Sequence, residues 1–231
     1  MEARVEHLRE RHALINREGY PFIIIPLLVC VVFTLAARYV GQWAFVYAGL
    51  AFVVGCYMTF FFRDPDRETV CTNRDLLSSA DGVVHDICEV EEPEFMKTRV
   101  RRISIYLNLL DVHINRTPIW GKVAYLDYHE GRFLPSYRKD ASELNEHTSI
   151  GIENRYGKFF FKQIVGILAR RVNHWLTVGQ EVRTGERVGL MKFGSRLDIF
   201  VPLDAEVAVR VGQRVVGGVT IVAQLPKEKK E

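Results

Sequence analysis

The chain has 231 residues, 48% of them hydrophobic and 26% charged, with a formal net charge of +3. That length suits one medium domain, or a smaller domain plus an appendage, and so small a net charge gives no electrostatic footprint for nucleic acid. There is no zinc-finger spacing, no Walker or dinucleotide glycine pattern, and no disulfide-like pattern among Cys30, Cys56, Cys71 and Cys88, which points to a reducing, cytoplasm-facing domain with no metal ligand set assigned.

Two uncharged runs come first: "PFIIIPLLVCVVFTLAA" (Pro21–Ala37) and "WAFVYAGLAFVVGCYMTFFF" (Trp43–Phe62). At about 1.5 Å of rise per residue, the second run is long enough for a bilayer core of roughly 30 Å. The first is shorter and contains Pro26, so it spans only marginally. The segment before it is too long and too mixed in charge for a cleaved signal peptide. Arg9, Arg11 and Arg17 precede the pair, and Arg63 and Arg67 follow it. The positive-inside tendency then puts the N-terminus and the bulk of the protein in the cytoplasm, with only the turn around Arg38 outside. A helical hairpin buried in a soluble core is the competing reading. The division expected is a basic segment over 1–20, a membrane hairpin over 21–62 and the working domain over 63–231, at the cell membrane and facing the cytoplasm.

Beyond "FFRDPDRETV" the chain turns to short β-type runs: "GVVHDICEV", "RRISIYLNL", "GKVAYLDYH", "TSIGIENRYGKFFFKQIVG", "GERVGLM", "RLDIFVP" and "AEVAVRVGQRVVGGVTIVAQL". Alternation and β-branched content predict strands, with Gly121, Gly131, Gly157, Gly185 and Gly212 at turns. "QIVGILARRVNHWL" fits a helical period, but its β-branched start leaves helix and strand both open. The fold class predicted is mostly β, a sandwich or partly closed barrel with some helix, preceded by the helical hairpin.

Chemistry has few candidates. Asp81 in "SSADGVV" sits in a frequent turn pair. His113 in "LLDVHINRTPIWG" has Asp111, Asn115 and Arg116 as polar neighbours, which suits proton handling. His147 in "LNEHTSIGIE" is a weaker candidate of the same type. The cluster "KTRVRR" (Lys97–Arg102) is a solvated face or a contact to lipid phosphates. Ser195, in "KFGSRLD", lacks the second glycine of a nucleophile elbow. Lys192 lies three residues earlier, on the opposite face of an extended segment, so a Ser–Lys dyad through that pair is disfavoured. Glycine before serine does leave the hydroxyl unobstructed access to the preceding carbonyl. Attack there converts amide to ester, given a strained peptide, an oxyanion partner and a base.

Taken in order, "FFRDPDR", "SSADGVV", "YLNLLDVHINRTPIWG", "QIVGILARR" and "GERVGLMKFGSRLDIFVP" resemble the phosphatidylserine decarboxylase family, in its short prokaryotic branch. The resemblance implies a proenzyme that breaks its own chain between Gly194 and Ser195. The products are a β chain of residues 1–194 and an α chain of 195–231 headed by a pyruvoyl group formed from Ser195. It implies decarboxylation of phosphatidylserine to phosphatidylethanolamine at a bilayer, with the β and α chains staying associated and a homodimer as a further assembly. Asp81 matches the family's acidic member and Ser195 its self-cleaving serine. Longer members carry H-x-x-H before a proline; here "DVHINRTP" keeps His113 and has Arg116 at the second place. His113 therefore takes over self-cleavage, acts only on substrate, or does both. Longer members also read Leu-Gly-Ser-Thr where this chain reads Phe-Gly-Ser-Arg. Arg116, Arg99 and Arg102 are the candidate substrate-binding residues.

A second reading makes the last third a biotinyl- or lipoyl-type carrier domain anchored to the membrane. Lys192 in "MK" would then be the modified residue of a hairpin. That pattern leaves "ADGVV" and "DVHINRTP" unexplained.

Overall fold

The computed structural model describes residues 6–9 (backbone only), 14–136, 138, 140–166 and 172–226. The chain forms two compact units, Arg11–Asp66 and Arg67–Glu231, the latter joined by Met1–Glu10.

The first unit is a helical hairpin, α1 (Tyr20–Val40) and α2 (Trp43–Phe61). Pro21 stands in the first turn of α1, where its missing N–H leaves no bond unmade. Gly41, with φ +95°, ends the helix and lets the chain reverse. The helices close where Gly55 faces Leu27; a Cβ on Gly55 would lie 2.9 Å from a Leu27 methyl. No residue of α1 is buried, and Ile25, Leu28, Leu35, Phe45 and Val53 all point outward. A helix that is apolar all round and uncovered by protein suits hydrocarbon, not water. Their lengths, about 31 and 28 Å, fit a bilayer core. Both helices are long and apolar enough to cross a membrane, and α1 runs past the short apolar run to Val40.

The second unit is the expected mostly-β domain. Its strands are β1 (Glu6–Arg9), β2 (Glu68–Cys71), β3 (Asp75–Leu77), β4 (Gly82–Glu92), β5 (Thr98–Leu107), β6 (Ile114–Arg116), β7 (Gly121–His129), β8 (His147–Asn154), β9 (Gly157–Val165), β10 (Val172–His174), β11 (Glu181–Val182), β12 (Arg187–Met191), β13 (Ser195–Val201), β14 (Glu206–Val207), β15 (Arg214–Val215) and β16 (Ile221–Gln224), with a one-turn helix α3 (Ala141–Leu144) before β8. Eight strands make one antiparallel sheet in the order β11-β7-β8-β9-β13-β5-β4-β15. Two three-stranded sheets, β10-β12-β6 and β14-β16-β3, and the β1-β2 pair complete the unit. The ambiguous segment "QIVGILARRVNHWL" enters as the end of β9 and leaves as β10; residues 167–171 lie outside the described part. Its β-branched start wins over its helical period because β9 is paired along both edges, by β8 and β13.

Period-two alternation gives the main sheet two buried faces. On one, Leu197, Ile199, Val201, Phe159, Phe161 and Val165 join the large core shared with the small sheets. On the other, Phe160, Phe200, Val100 and Phe95 make a smaller cluster. Strand β13 lies between β5 and β9 and is buried along its whole length. Its two charged residues sit on the second face and answer each other. Arg196 Nε lies 2.7 Å from Asp198 Oδ1, Arg196 also donates to Ser104 Oγ at 2.8 Å, and the Ser142 hydroxyl donates to Asp198 Oδ2 at 2.5 Å. Buried charges survive in a core only when so paired.

Candidate active site

Strands β12 and β13 belong to different sheets, so residues 192–194 form a corner between sheets and not a hairpin tip. Lys192 thus lacks the hairpin position that the carrier reading needs. At this corner Phe193 has φ +64° and Gly194 has φ +59°. Glycine accepts the left-handed region freely; for phenylalanine it costs about 1–3 kcal/mol.

The next residue begins β13. Ser195 is fully buried, and among the described residues its Oγ has no hydrogen-bond partner. A buried hydroxyl left unbonded costs about 1–3 kcal/mol, so it calls for an explanation. The Gly194 carbonyl lies against Gly166: a Cβ built on Gly166 would sit 2.2 Å from that oxygen and 3.3 Å from Ser136 Oγ. Strain, an unbonded hydroxyl and a closely held carbonyl therefore meet at one peptide bond.

His113 reaches this region through strand pairing. Ile114 and Asn115 of β6 pair with Leu190 and Gly189 of β12, and the His113 carbonyl accepts the Met191 N–H at 3.1 Å. Its backbone is thus opposite a residue four positions before Ser195. The ring is fully buried, with Nδ1 2.9 Å from the Asp111 carbonyl oxygen. A carbonyl only accepts, so Nδ1 carries the proton and Nε2 of the neutral ring holds the lone pair, which is the form of a base. The Asp111 side chain is itself held, accepting from the Asn108 N–H at 2.9 Å and from Arg214. Two residues on from His113, Asn115 accepts a hydrogen bond from Gln163 at 2.7 Å.

Asp81 opens β4 at the same end of the sheet. Val83 pairs with Tyr106, and the next residue of β5, Leu107, pairs with Ser195. Two interstrand spacings separate the starts of β4 and β13, about 10 Å of backbone. The Asp81 carboxylate is gripped by Arg67 through both oxygens, at 2.5 and 2.7 Å, and accepts the Gly217 N–H at 2.8 Å. Asp81, Gly194 and Ser195 thus lie at one end of the main sheet, and His113 is tied to the same corner through the end of β12.

Arg99 and Arg102 lie elsewhere, whereas Arg116 is held near Asp81: its backbone N–H donates to the Ser79 carbonyl at 2.9 Å, and its side chain packs on Gly218, next to the Gly217 whose N–H reaches Asp81. Arg116 is buried and donates to the Gly185 carbonyl at 2.9 Å. Arg102 pairs across β4 with Cys88 and lies 3.6 Å from Asp86. Arg99 is exposed, 3.0 Å from Glu89, and eight residues along β5 from Leu107, about 26 Å. His147 lies on β8 on the face opposite Ser195. Its Nδ1 is 2.7 Å from the Asn145 carbonyl, and burial, the main cause, lowers its pKa below the ordinary value.

Sequence reasoning missed Arg67 as the partner of Asp81, and missed Gly166 and Ser136. The only local signal was the recurrence of "FFRDPDR" and "QIVG" among the matching stretches, because each contact joins residues far apart in the chain.

Comparison with known proteins supplies the remaining evidence. The phosphatidylserine decarboxylase family model matches residues 55–223. A phosphatidylserine decarboxylase proenzyme of Carboxydothermus hydrogenoformans is 38% identical over 210 residues, 90% of this chain and 95% of that protein. One of Symbiobacterium thermophilum is 39% identical, covering 94% of this chain and 98% of its own, and one of Wolbachia sp. subsp. Brugia malayi is 42% identical, covering 93% and 92%. With a match over most of its length and relatives aligned nearly end to end, this chain belongs to the phosphatidylserine decarboxylase family.

Proposed function

We propose that the chain is a proenzyme that cleaves its own Gly194–Ser195 bond and then decarboxylates phosphatidylserine to phosphatidylethanolamine and carbon dioxide. The observation that carries this reading is the corner itself: a left-handed Phe193–Gly194 pair delivering a buried, unbonded Ser195 hydroxyl beside the carbonyl it would attack.

In the first step Ser195 Oγ adds to the Gly194 carbonyl carbon, the Gly194–Ser195 C–N bond breaks, and the hydroxyl proton passes by way of a base to the departing nitrogen. Nε2 of His113 is the base we assign, since Nδ1 is already committed to Asp111. Elimination then takes the Ser195 Cα proton and breaks the Cβ–O ester bond. Gly194 is left as a carboxylate, and water releases the nitrogen of residue 195 as ammonia. Asp81 stands two strands away, locked by Arg67, and is assigned a positioning role at this end of the sheet. The resulting pyruvoyl group, formed from Ser195, would supply an electron sink for the pair left behind when carbon dioxide departs. Its site fits this: residue 195 faces the apolar core, a setting that favours loss of a carboxylate.

The cleaved α chain would not leave. Strand β13 pairs over seven residues with β5 and six with β9, both in the β chain. The apolar hairpin would hold the enzyme in the bilayer that contains its substrate, with the β unit on the cytoplasmic side. Exposed Arg99 is assigned to lipid phosphates at the membrane surface; Arg102 and Arg116, held by internal partners, are assigned to supporting the fold.

The test is the intact mass of the purified protein under denaturing conditions. We expect two pieces parting at Gly194–Ser195, the smaller lighter than a serine-headed peptide by the mass of ammonia, and release of carbon dioxide from phosphatidylserine vesicles. A single unbroken chain that still decarboxylates would overturn the reading.

A further inference from the structure

On the face of the main sheet opposite Ser195, three metal-ligating side chains converge that have no part in the chemistry above. His129 of β7 and His147 of β8 are direct cross-strand partners, and their rings stack with centroids 4.5 Å apart. Glu94, in the turn between β4 and β5, reaches over them, its Oε2 3.5 Å from His129 Nε2. Asp127 Oδ2 stands at the same distance from that nitrogen. One donor atom from each of Glu94, His129 and His147 lies within 4.8 Å of the others.

Two observations indicate that the cluster is built to hold something. First, Glu94 Oε2 and His129 Nε2 are buried, and among the described residues neither has a hydrogen-bond partner. Buried polar atoms without partners are expensive, and one cation between them would satisfy both. Second, the outer contacts are those of a ligand shell. The Asn145 carbonyl holds the Nδ1–H of His147, turning the lone pair of Nε2 outward, and Lys162 grips the other oxygen of Glu94. Metal-bound histidines are oriented by such a carbonyl, and metal-bound carboxylates are themselves hydrogen-bonded. A cavity of about 380 Å³, lined by these groups with Arg102, Ser142 and Phe200, gives a path in from solvent.

We propose that Glu94, His129 and His147 form a site for a divalent cation of the zinc class, with a coordination position left for water. Two imidazoles and one carboxylate are a borderline donor set that suits zinc over calcium or magnesium, which prefer oxygen. Donors around tetrahedral zinc stand roughly 3.3 Å apart, so Glu94 and His129 are already near that spacing and the widest gap closes by at most about 1.5 Å on loading. The bound ion ties the β4–β5 turn to β7 and β8 on the sheet face that also carries Arg196 and Asp198. No sequence motif announces it, because register, not spacing, brings the residues together.

The full chain in detergent, freed of metal by a chelator, is titrated with zinc ion alone by calorimetry. We expect one ion per chain and a raised melting temperature. His129→Ala and His147→Ala should each weaken binding at least about tenfold, while His85→Ala, an exposed position on β4, leaves it unchanged. In the wild-type protein, zinc should also slow modification of His129 and His147 by diethylpyrocarbonate, read by peptide mass, more than that of His85. Failure to bind one ion per chain, or equal modification of all three histidines with and without zinc, overturns the site. So does undiminished binding in both variants.

Discussion

Gly166 and the carbonyl of Gly194 are in such close contact that a single added methyl at residue 166 would lie 2.2 Å from the oxygen. The bond proposed to break is therefore held from the side by a backbone with no side chain. Gly166→Ala must push the Gly194 carbonyl out of its position. Self-cleavage, followed as the loss of full-length chain on a denaturing gel, should slow at least about tenfold, equivalent to about 1.4 kcal/mol in the barrier. Wild-type kinetics in that variant would mean the contact does not position the reacting carbonyl.

Phe193 holds a left-handed conformation next to that bond. Phe193→Gly removes strain of about 1–3 kcal/mol but adds about 0.5–1 kcal/mol of chain entropy and gives up the packing of a half-buried ring, so the effects on stability oppose one another. The rate is the sharper readout. If strain in the precursor is released on cleavage, the variant matures several-fold more slowly, whatever its melting temperature. Faster maturation would show that the strain opposes the reaction.

Ser195→Ala removes the hydroxyl and nothing else of consequence. We expect one intact chain, correctly folded and without decarboxylase activity, and a melting temperature equal to or slightly above that of the uncleaved wild-type precursor, since an unbonded buried hydroxyl has gone. Decarboxylation at the normal rate by this variant would end the pyruvoyl assignment.

Arg67 and Asp81 make a two-pronged ion pair that is mostly buried, with side chains 10% and 15% exposed. Asp81→Asn leaves the guanidinium facing a neutral amide and should slow maturation while lowering stability by about 3–5 kcal/mol. Arg67→Met leaves the carboxylate unpaired and should lower stability by a similar amount. If Asp81 acts only as the partner of Arg67, the double variant Asp81→Asn/Arg67→Met recovers maturation. If Asp81 positions the cleavage machinery, the double variant stays slow.

Arg196 and Asp198 are sealed between β5 and β9. Asp198→Asn breaks a buried pair and should cost about 3–5 kcal/mol, which for a chain of this size is roughly 10 °C in melting temperature. Thermal unfolding followed by circular dichroism checks this directly.

Much of this was legible in the residues. Two long uncharged runs dictate an apolar hairpin whatever surrounds them, because length and hydropathy alone decide what can sit in hydrocarbon. Alternating β-branched segments dictate strands, and the ordered motifs around Asp81, His113 and Gly194–Ser195 pointed to the family. Short elements were not legible: β6 is only three residues, and "VNHW" shows its strand character only once β12 lies beside it. Nor does local sequence reveal that "MKFGSR" turns a corner between two sheets, since that depends on which partners β12 and β13 find. The left-handed Phe193, the glycine packed on a carbonyl 28 residues away, the Arg67 fork on Asp81 and the Glu94–His129–His147 cluster are decided by register across strands. Chain order carries composition and period, which are local. Contacts between distant strands emerge only when the sheet closes and each buried polar group must find what it faces.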